Sequence, residues 1–224
     1  MSPVNQRIAI LISGRGSNLQ AFIEACDTGS LAAEVALVVS NNPAAKGLER
    51  ASEAGIATAV VNHRDYATRE SFDAALVQCI DQAGVDLVIL AGFMRILTPV
   101  FISAFSGRLL NIHPSLLPKY PGLNTHQRAL DAGDSEAGVT VHFVTEELDG
   151  GPPILQARVP VASDDTAEDL AQRVILREHE IYPMAANWFI QGRLTLTEEG
   201  AYLDGKSIPA TGIPYQPDTA QGSR

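Results

Sequence analysis

The chain has 224 residues, one domain's worth of length, and its 46% hydrophobic against 19% charged composition lies far from the signature of a disordered chain. Sixteen Lys and Arg against 26 Asp and Glu give a net charge of −10, which argues against wrapping a phosphate backbone and so against nucleic acid as a partner. The two cysteines, Cys26 and Cys79, lack CxxC spacing, so a disulfide scaffold and a thiolate metal site are without support and a reducing cytoplasm is expected. The start, Met1-Ser2-Pro3-Val4-Asn5-Gln6, carries no basic and apolar signal regions, and no apolar run reaches about 18 residues, so neither secretion nor a membrane partner is expected. Charge divides unevenly, −2 over residues 1–112 and −8 over 113–224, so cations for an anionic ligand are expected mainly in the first half.

Short apolar runs alternate with amphipathic stretches, the pattern of a doubly wound α/β fold with a mostly parallel sheet and helices on both faces. Strands are expected at 7–13, 34–40, 57–62, 85–91 and 108–113, nearly continuous in apolar character, as strands covered on both faces must be. Helices are expected at 17–28, 43–54, 68–83 and 98–105, two of them opened by Asn42-Pro43 and Thr98-Pro99, an N-cap residue followed by Pro. A Pro-rich segment, Pro114 to Gly122, leads to a short helix at 124–132 and strands at 137–145 and 153–160. A long helix is expected over 166–191, with Thr166 and Asp169 in capping-box spacing and Leu170, Val174, Ile181, Ala185 and Trp188 on one face. Pro183 is expected to kink or split it. Glu178 falls on the same apolar stripe, and a carboxylate on a buried face is paired or functional. One domain is expected over 1–206, followed by a Pro/Gly/Thr/Gln-rich tail at 207–224, disordered past 214.

The first strand empties into Ser13-Gly14-Arg15-Gly16-Ser17-Asn18 and then into a helix, where free backbone N–H groups suit a phosphate or carboxylate. Leu19 stands where a dinucleotide fingerprint wants its third glycine, and the second strand ends in Ser40-Asn41-Asn42 without an acid; both count against NAD or FAD. A site for one phosphate and a tight turn without a ligand both remain open. Near mid-chain, Leu109-Leu110-Asn111-Ile112-His113-Pro114 puts two polar side chains on one side of a strand end, at the edge where doubly wound sheets bind ligands. An amide donor beside an imidazole can stabilise an oxyanion while a proton moves. Farther on, Thr145-Glu146-Glu147-Leu148-Asp149-Gly150-Gly151 offers an acid that either holds an imidazolium or caps its own turn. His142, between Val141 and Phe143, reads as a packed sheet residue, and His63, His126 and His179 make no metal-ligand spacing, so no metal is expected. Gly92-Phe93-Met94-Arg95-Ile96-Leu97 follows the fourth strand and is either a bed for a flat heteroaromatic ligand or a plain packing loop.

Taken together, residues 12–20 (Ile-Ser-Gly-Arg-Gly-Ser-Asn-Leu-Gln), 91–97 (Ala-Gly-Phe-Met-Arg-Ile-Leu), 111–118 (Asn-Ile-His-Pro-Ser-Leu-Leu-Pro) and 148–152 (Leu-Asp-Gly-Gly-Pro) resemble the folate-dependent phosphoribosylglycinamide formyltransferase family. The likeness covers about residues 7–205. It implies direct transfer of a formyl group from 10-formyltetrahydrofolate, as co-substrate, to the primary amine of glycinamide ribonucleotide through a tetrahedral intermediate. It further implies a catalytic trio of Asn111, His113 and Asp149, with Gly16, Ser17, Asn18 and Glu178 binding the ribonucleotide. Folate binding would fall to Arg69, Met94, Arg95, Ile96 and Leu97, to Asn111, and to the loop Thr145, Glu146, Glu147 and Leu148. Asn-x-His with a downstream Asp is shared by other folate-linked formyltransferases and by formyltetrahydrofolate hydrolase, which stay as alternatives. Of these, methionyl-tRNA formyltransferase and the hydrolase carry an added domain, for which a chain of 224 residues is expected to leave no room. Arg15 and Asn124 depart from the expected family pattern. Small-molecule substrates and a monomer or homodimer are implied.

Overall fold

The computed structural model describes residues 6–217. Five parallel strands, β1 (Gln6–Ile12), β2 (Ala33–Ser40), β3 (Thr58–Val60), β4 (Leu87–Leu90) and β5 (Leu109–His113), alternate with helices α1 (Ser17–Asp27), α2 (Gly47–Glu53), α3 (Arg69–Asp81) and α4 (Pro99–Ala104). After α5 (Thr125–Asp131), β6 (Glu136–Phe143) joins β5 antiparallel and β7 (Pro153–Pro160) returns beside it, followed by α6 (Ala167–Ile190). Four short strands complete the described chain: β8 (Leu194–Thr197), β9 (Gly200–Leu203), β10 (Lys206–Ser207) and β11 (Ile213–Pro214). The spatial order of the main sheet is β11-β7-β6-β5-β4-β1-β2-β3. From β1 the chain winds outward to β3, then crosses back to β4 on the other side, so the carboxyl ends of β1 and β4 face each other across the crevice that such folds use for ligands.

Apolar strands covered on both faces produce two cores. One packs Ile8, Ile10, Ile12, Leu110 and Ile112 against α1 and α6; the other packs Ala9, Leu11, Val88, Leu90 and Leu109 against α3 and α4. Leu109 alternates with Asn111 and His113, so these two polar side chains share the α3/α4 face of β5. Among the described residues no helix is long and apolar enough to cross a membrane.

Two local expectations are corrected. Asn42-Pro43 opens a turn instead of a helix: the Asn42 side chain accepts from Ala44 N–H at 3.0 Å, and α2 begins only at Gly47. That delay delivers Gly47 to the glycine loop, where its N–H donates to Gly14 O at 3.0 Å. Pro183 does not split α6 into two helices; the 24-residue helix is continuous, because Ile181, Tyr182, Ala185 and Ala186 around the missing N–H are fully buried and fix its path. After α6, where no element was expected, β8, β9 and β10 form a small antiparallel sheet. The expected tail contributes β11, which pairs with β7; its residues from 218 on lie outside the described residues.

Candidate active site

Asn111 and His113 leave β5 beside β6, whose register sets His142 opposite Asn111 and Thr140 opposite His113. His142 Nδ1 lies 2.8 Å from Phe143 O, and a carbonyl only accepts, so Nδ1 carries the proton and Nε2 presents a lone pair. The Asn111 amide donates to that lone pair at 3.2 Å, which fixes its orientation and leaves its second N–H free. Burial lowers the His142 pKa to about 4, so the imidazole stays the neutral acceptor this bond requires.

His113 is buried, and its Nε2–H donates to Tyr120 O at 2.8 Å. The Pro-rich segment is held in front of it by a buried polar knot. Thr140 Oγ1 donates to Ser115 O (2.7 Å) and accepts from Leu117 N–H (3.1 Å) and Gln156 Nε2 (3.0 Å). The loop after β6 folds back over the β5–β6 pair and carries Asp149 into the same corner. Asp149 Oδ2 accepts from Gly122 N–H at 2.8 Å and stands 3.4 Å from His113 Nδ1, while Oδ1 is 4.0 Å from His142 Nε2. The turn is tight: Asp149 has φ +51°, and a side chain at Gly151 would overlap the Phe143 carbonyl. Asp149 is thus bonded across the molecule and is no simple turn-former.

At the end of β1, Gly16 sits at φ +73° as the N-cap of α1, and a methyl group there would stand 2.8 Å from Gly47 Cα. The glycine serves both the left-handed turn and the close approach of α2. Arg50 supports the loop from behind by donating to Arg15 O at 3.0 Å. Ser17 opens α1, and buried Asn18 donates to Glu178 Oε2 at 2.7 Å while its own Oδ1 is without a protein partner. Burial raises the Glu178 pKa, opposed by the Asn18 bond. One turn further along α6, the Tyr182 hydroxyl lies 3.0 Å from Leu90 O and 2.9 Å from Leu110 O, tying α6 to β4 and β5.

A formyl transferase family model matches residues 6–186. The chain belongs to the formyl transferase family. Among relatives, the phosphoribosylglycinamide formyltransferase of Escherichia coli is 55% identical over 92% of this chain and 97% of its own length. That of Haemophilus influenzae is 50% identical over 92% of this chain and 98% of its own. The solved structure of the Coxiella burnetii phosphoribosylglycinamide formyltransferase, in complex with CHES, superimposes with a TM-score of 0.91 at 48% identity, covering 95% of this chain and all of that one.

In this formyl transferase the β4–α4 loop exposes Met94 and Ile96, 70% and 60% accessible, and the loop after β6 exposes Leu148 at 56%. Arg95 and Leu97 are half-buried, and Leu97 packs on the α3/α4 core. Thr145 is half-buried and Glu146 and Glu147 are exposed. Arg69 sits on the exposed first turn of α3 and is not joined to the trio; its charge acts on buried Asp73, whose Oδ2 accepts from Thr98 N–H (2.6 Å) and Oγ1 (2.7 Å) just past the β4–α4 loop. Asn124 is the N-cap of α5, with φ +57°. Among the described residues no group of three or more His, Cys, Asp or Glu side chains is placed to hold a metal ion.

Sequence reasoning about this formyl transferase missed four contributors: the His142 lone pair, the Tyr120 carbonyl, the Gly122 N–H and the Tyr182 bolt. His142 is a packed sheet residue, as the alternation says, and also the partner of Asn111. Its signal depends on an antiparallel pairing with β5 that alternation within one strand does not contain.

Proposed function

We propose that this chain transfers the formyl group of 10-formyltetrahydrofolate to the primary amine of glycinamide ribonucleotide, in purine synthesis. The observation that carries the reading is the corner where Asn111, His113 and Asp149 meet, with the His113 Nδ1 to Asp149 Oδ2 distance at 3.4 Å. The substrate amine is itself the nucleophile, so the chain has to orient, stabilise charge and move a proton. Asn111 offers its free amide N–H to the carbonyl oxygen that gains charge as the amine attacks the formyl carbon. His113, anchored through Nε2, offers Nδ1–H to that oxygen or to Asp149. Asp149 balances the imidazolium and accepts the proton leaving the attacking nitrogen, for return to the departing folate nitrogen.

The same reading assigns the ribonucleotide phosphate to the N–H groups of Gly16, Ser17 and Asn18 at the start of α1, with Glu178 at its sugar or glycinamide portion. The unpartnered Asn18 Oδ1 supports a polar ligand there. The formyl donor would lie on Met94, Arg95, Ile96 and Leu97, under the loop Thr145, Glu146, Glu147 and Leu148, with Arg69 toward its glutamate. Exposed apolar side chains on both loops, Met94 and Ile96 on one and Leu148 on the other, support a flat apolar ligand. We further assign the protein to the cytoplasm as a metal-free monomer or homodimer; Cys26 and Cys79 are both free, and burial pushes their thiols up, to about 11 for Cys26.

The test is incubation with 10-formyltetrahydrofolate, with and without glycinamide ribonucleotide, while deformylated folate is followed. Turnover only with the ribonucleotide is expected. Turnover without it points to the hydrolase alternative, and turnover in neither condition overturns the reading.

A further inference from the structure

At the carboxyl edge of the sheet one polar chain runs across four neighbouring strands. Ser13, the first residue after β1, donates its hydroxyl proton to Asn41 Oδ1 at 2.6 Å and accepts the Met94 N–H at 2.8 Å. Asn41 follows β2 and is buried at 4% accessibility; its backbone O accepts from Nδ1–H of His63, which follows β3, at 3.0 Å. Met94 follows β4. The order Met94, Ser13, Asn41, His63 therefore repeats the spatial order β4-β1-β2-β3. A hydroxyl has a single proton, so with that proton committed to Asn41 the lone pairs of Ser13 are what remain for Met94.

We propose that Ser13 is a positioning residue that couples the two substrate loops. It heads the glycine loop assigned above to the ribonucleotide phosphate and holds the backbone of Met94, which opens the bed assigned to the folate; the proposal rests on those two assignments. Only Gly14 and Arg15 separate Ser13 from Gly16, so ordering the loop around an anion orders the hydroxyl. The ordered hydroxyl fixes the Met94 N–H. No other hydrogen bond between a side chain and a backbone group joins the glycine loop to the β4–α4 loop among the described residues. By linkage the effect is reciprocal: each substrate tightens the other by the same factor. One neutral hydrogen bond sets the scale, about two- to tenfold in affinity.

The experiment measures dissociation constants by calorimetry on the full chain with glycinamide ribonucleotide and tetrahydrofolate, a pair that cannot react. Each ligand is titrated alone and with the other saturating. The wild type is expected to show mutual tightening of about two- to tenfold. Ser13→Ala is expected to bring that factor close to one with its melting temperature held, Ser13→Thr to restore it, and Asn41→Ala to lower it without adding to Ser13→Ala. A wild-type factor of one, or an undiminished factor in Ser13→Ala, overturns the coupling. Glu178→Gln and Arg95→Ala test the assignments beneath it: each should weaken its own ligand alone, the ribonucleotide and the folate respectively. If neither does, the substrate placement fails and the coupling with it.

Discussion

Asp149 occupies a left-handed backbone position and accepts the Gly122 N–H. Asn tolerates that φ and can accept the same bond, so Asp149→Asn removes the charge while keeping the loop. We expect turnover to fall about a hundredfold or more with the melting temperature unchanged; near-normal kcat would remove Asp149 from the mechanism. Glu178 gives a different signature. Burial makes the folded protein hold its proton more tightly than the unfolded chain does, so stability is lost as pH rises above the ordinary value of 4.5. Glu178→Gln should therefore melt higher than the wild type at pH 8, with the gap closing toward pH 4, and should raise the KM for the ribonucleotide. A variant that melts no higher at pH 8 would show that the carboxylate is not held at a cost. Asn111, His113 and Glu178 were legible as oddities of type and position, polar at a strand end or acidic on an apolar stripe; Asp149 was legible only as an acid beside a glycine turn, with turn capping as the other reading. Their partners were not, because Tyr120 O and Gly122 N–H are backbone groups that any residue carries.

At the scale of elements, the pairing of β5 with β6 makes the site. Alternation within each strand was readable, and so were both strands' limits to within two residues. Which strands pair, in which direction and register, was not, and that is why alternation alone shows His142 only as packing. Its consequence is a pH dependence. His142 is held neutral down to about pH 4 in the fold, against 6.5 in the open chain, so the unfolded state binds the extra proton first. Stability present above pH 6.5 is lost as pH falls, by up to about 3 kcal/mol at pH 4. His142→Asn does not titrate and keeps an acceptor for Asn111. Its urea midpoint should fall less between pH 7 and pH 4.5 than the wild type's, and parallel falls would refute the assignment. The α2 boundary shows the opposite limit: Asn42-Pro43 is a sound helix signal overridden by the packing of Gly47 on Gly14 and Gly16.

Across the whole molecule, the alternation of apolar runs and amphipathic stretches was enough for a doubly wound fold, and the carboxyl-edge rule was enough to point at the crevice. The β8–β10 sheet escaped because its strands are short and interrupted by Glu198-Glu199-Gly200 and Asp204-Gly205, which read as turn chemistry. Long-range fastening escaped as well, and Tyr182 is its main instance. A Tyr on the buried stripe of a helix reads as core, and it is core, packed edge-to-face on Phe22 at 5.1 Å. Its hydroxyl nevertheless reaches carbonyls of β4 and β5, the strands that lead into the Met94–Leu97 loop and the Asn111–His113 corner. Glu178 stands one turn before it on α6 and is bonded to Asn18, so the hydroxyl fixes the height of the Asn18–Glu178 pair, the ribonucleotide site proposed above, against the sheet. Tyr182→Phe keeps the ring and removes that bolt. The expected cost is about 1–2 kcal/mol in urea unfolding, with a raised KM for the ribonucleotide and a kcat changed less. A stability loss without any change in KM would make Tyr182 a core residue only and leave Glu178 to be positioned by Asn18 alone.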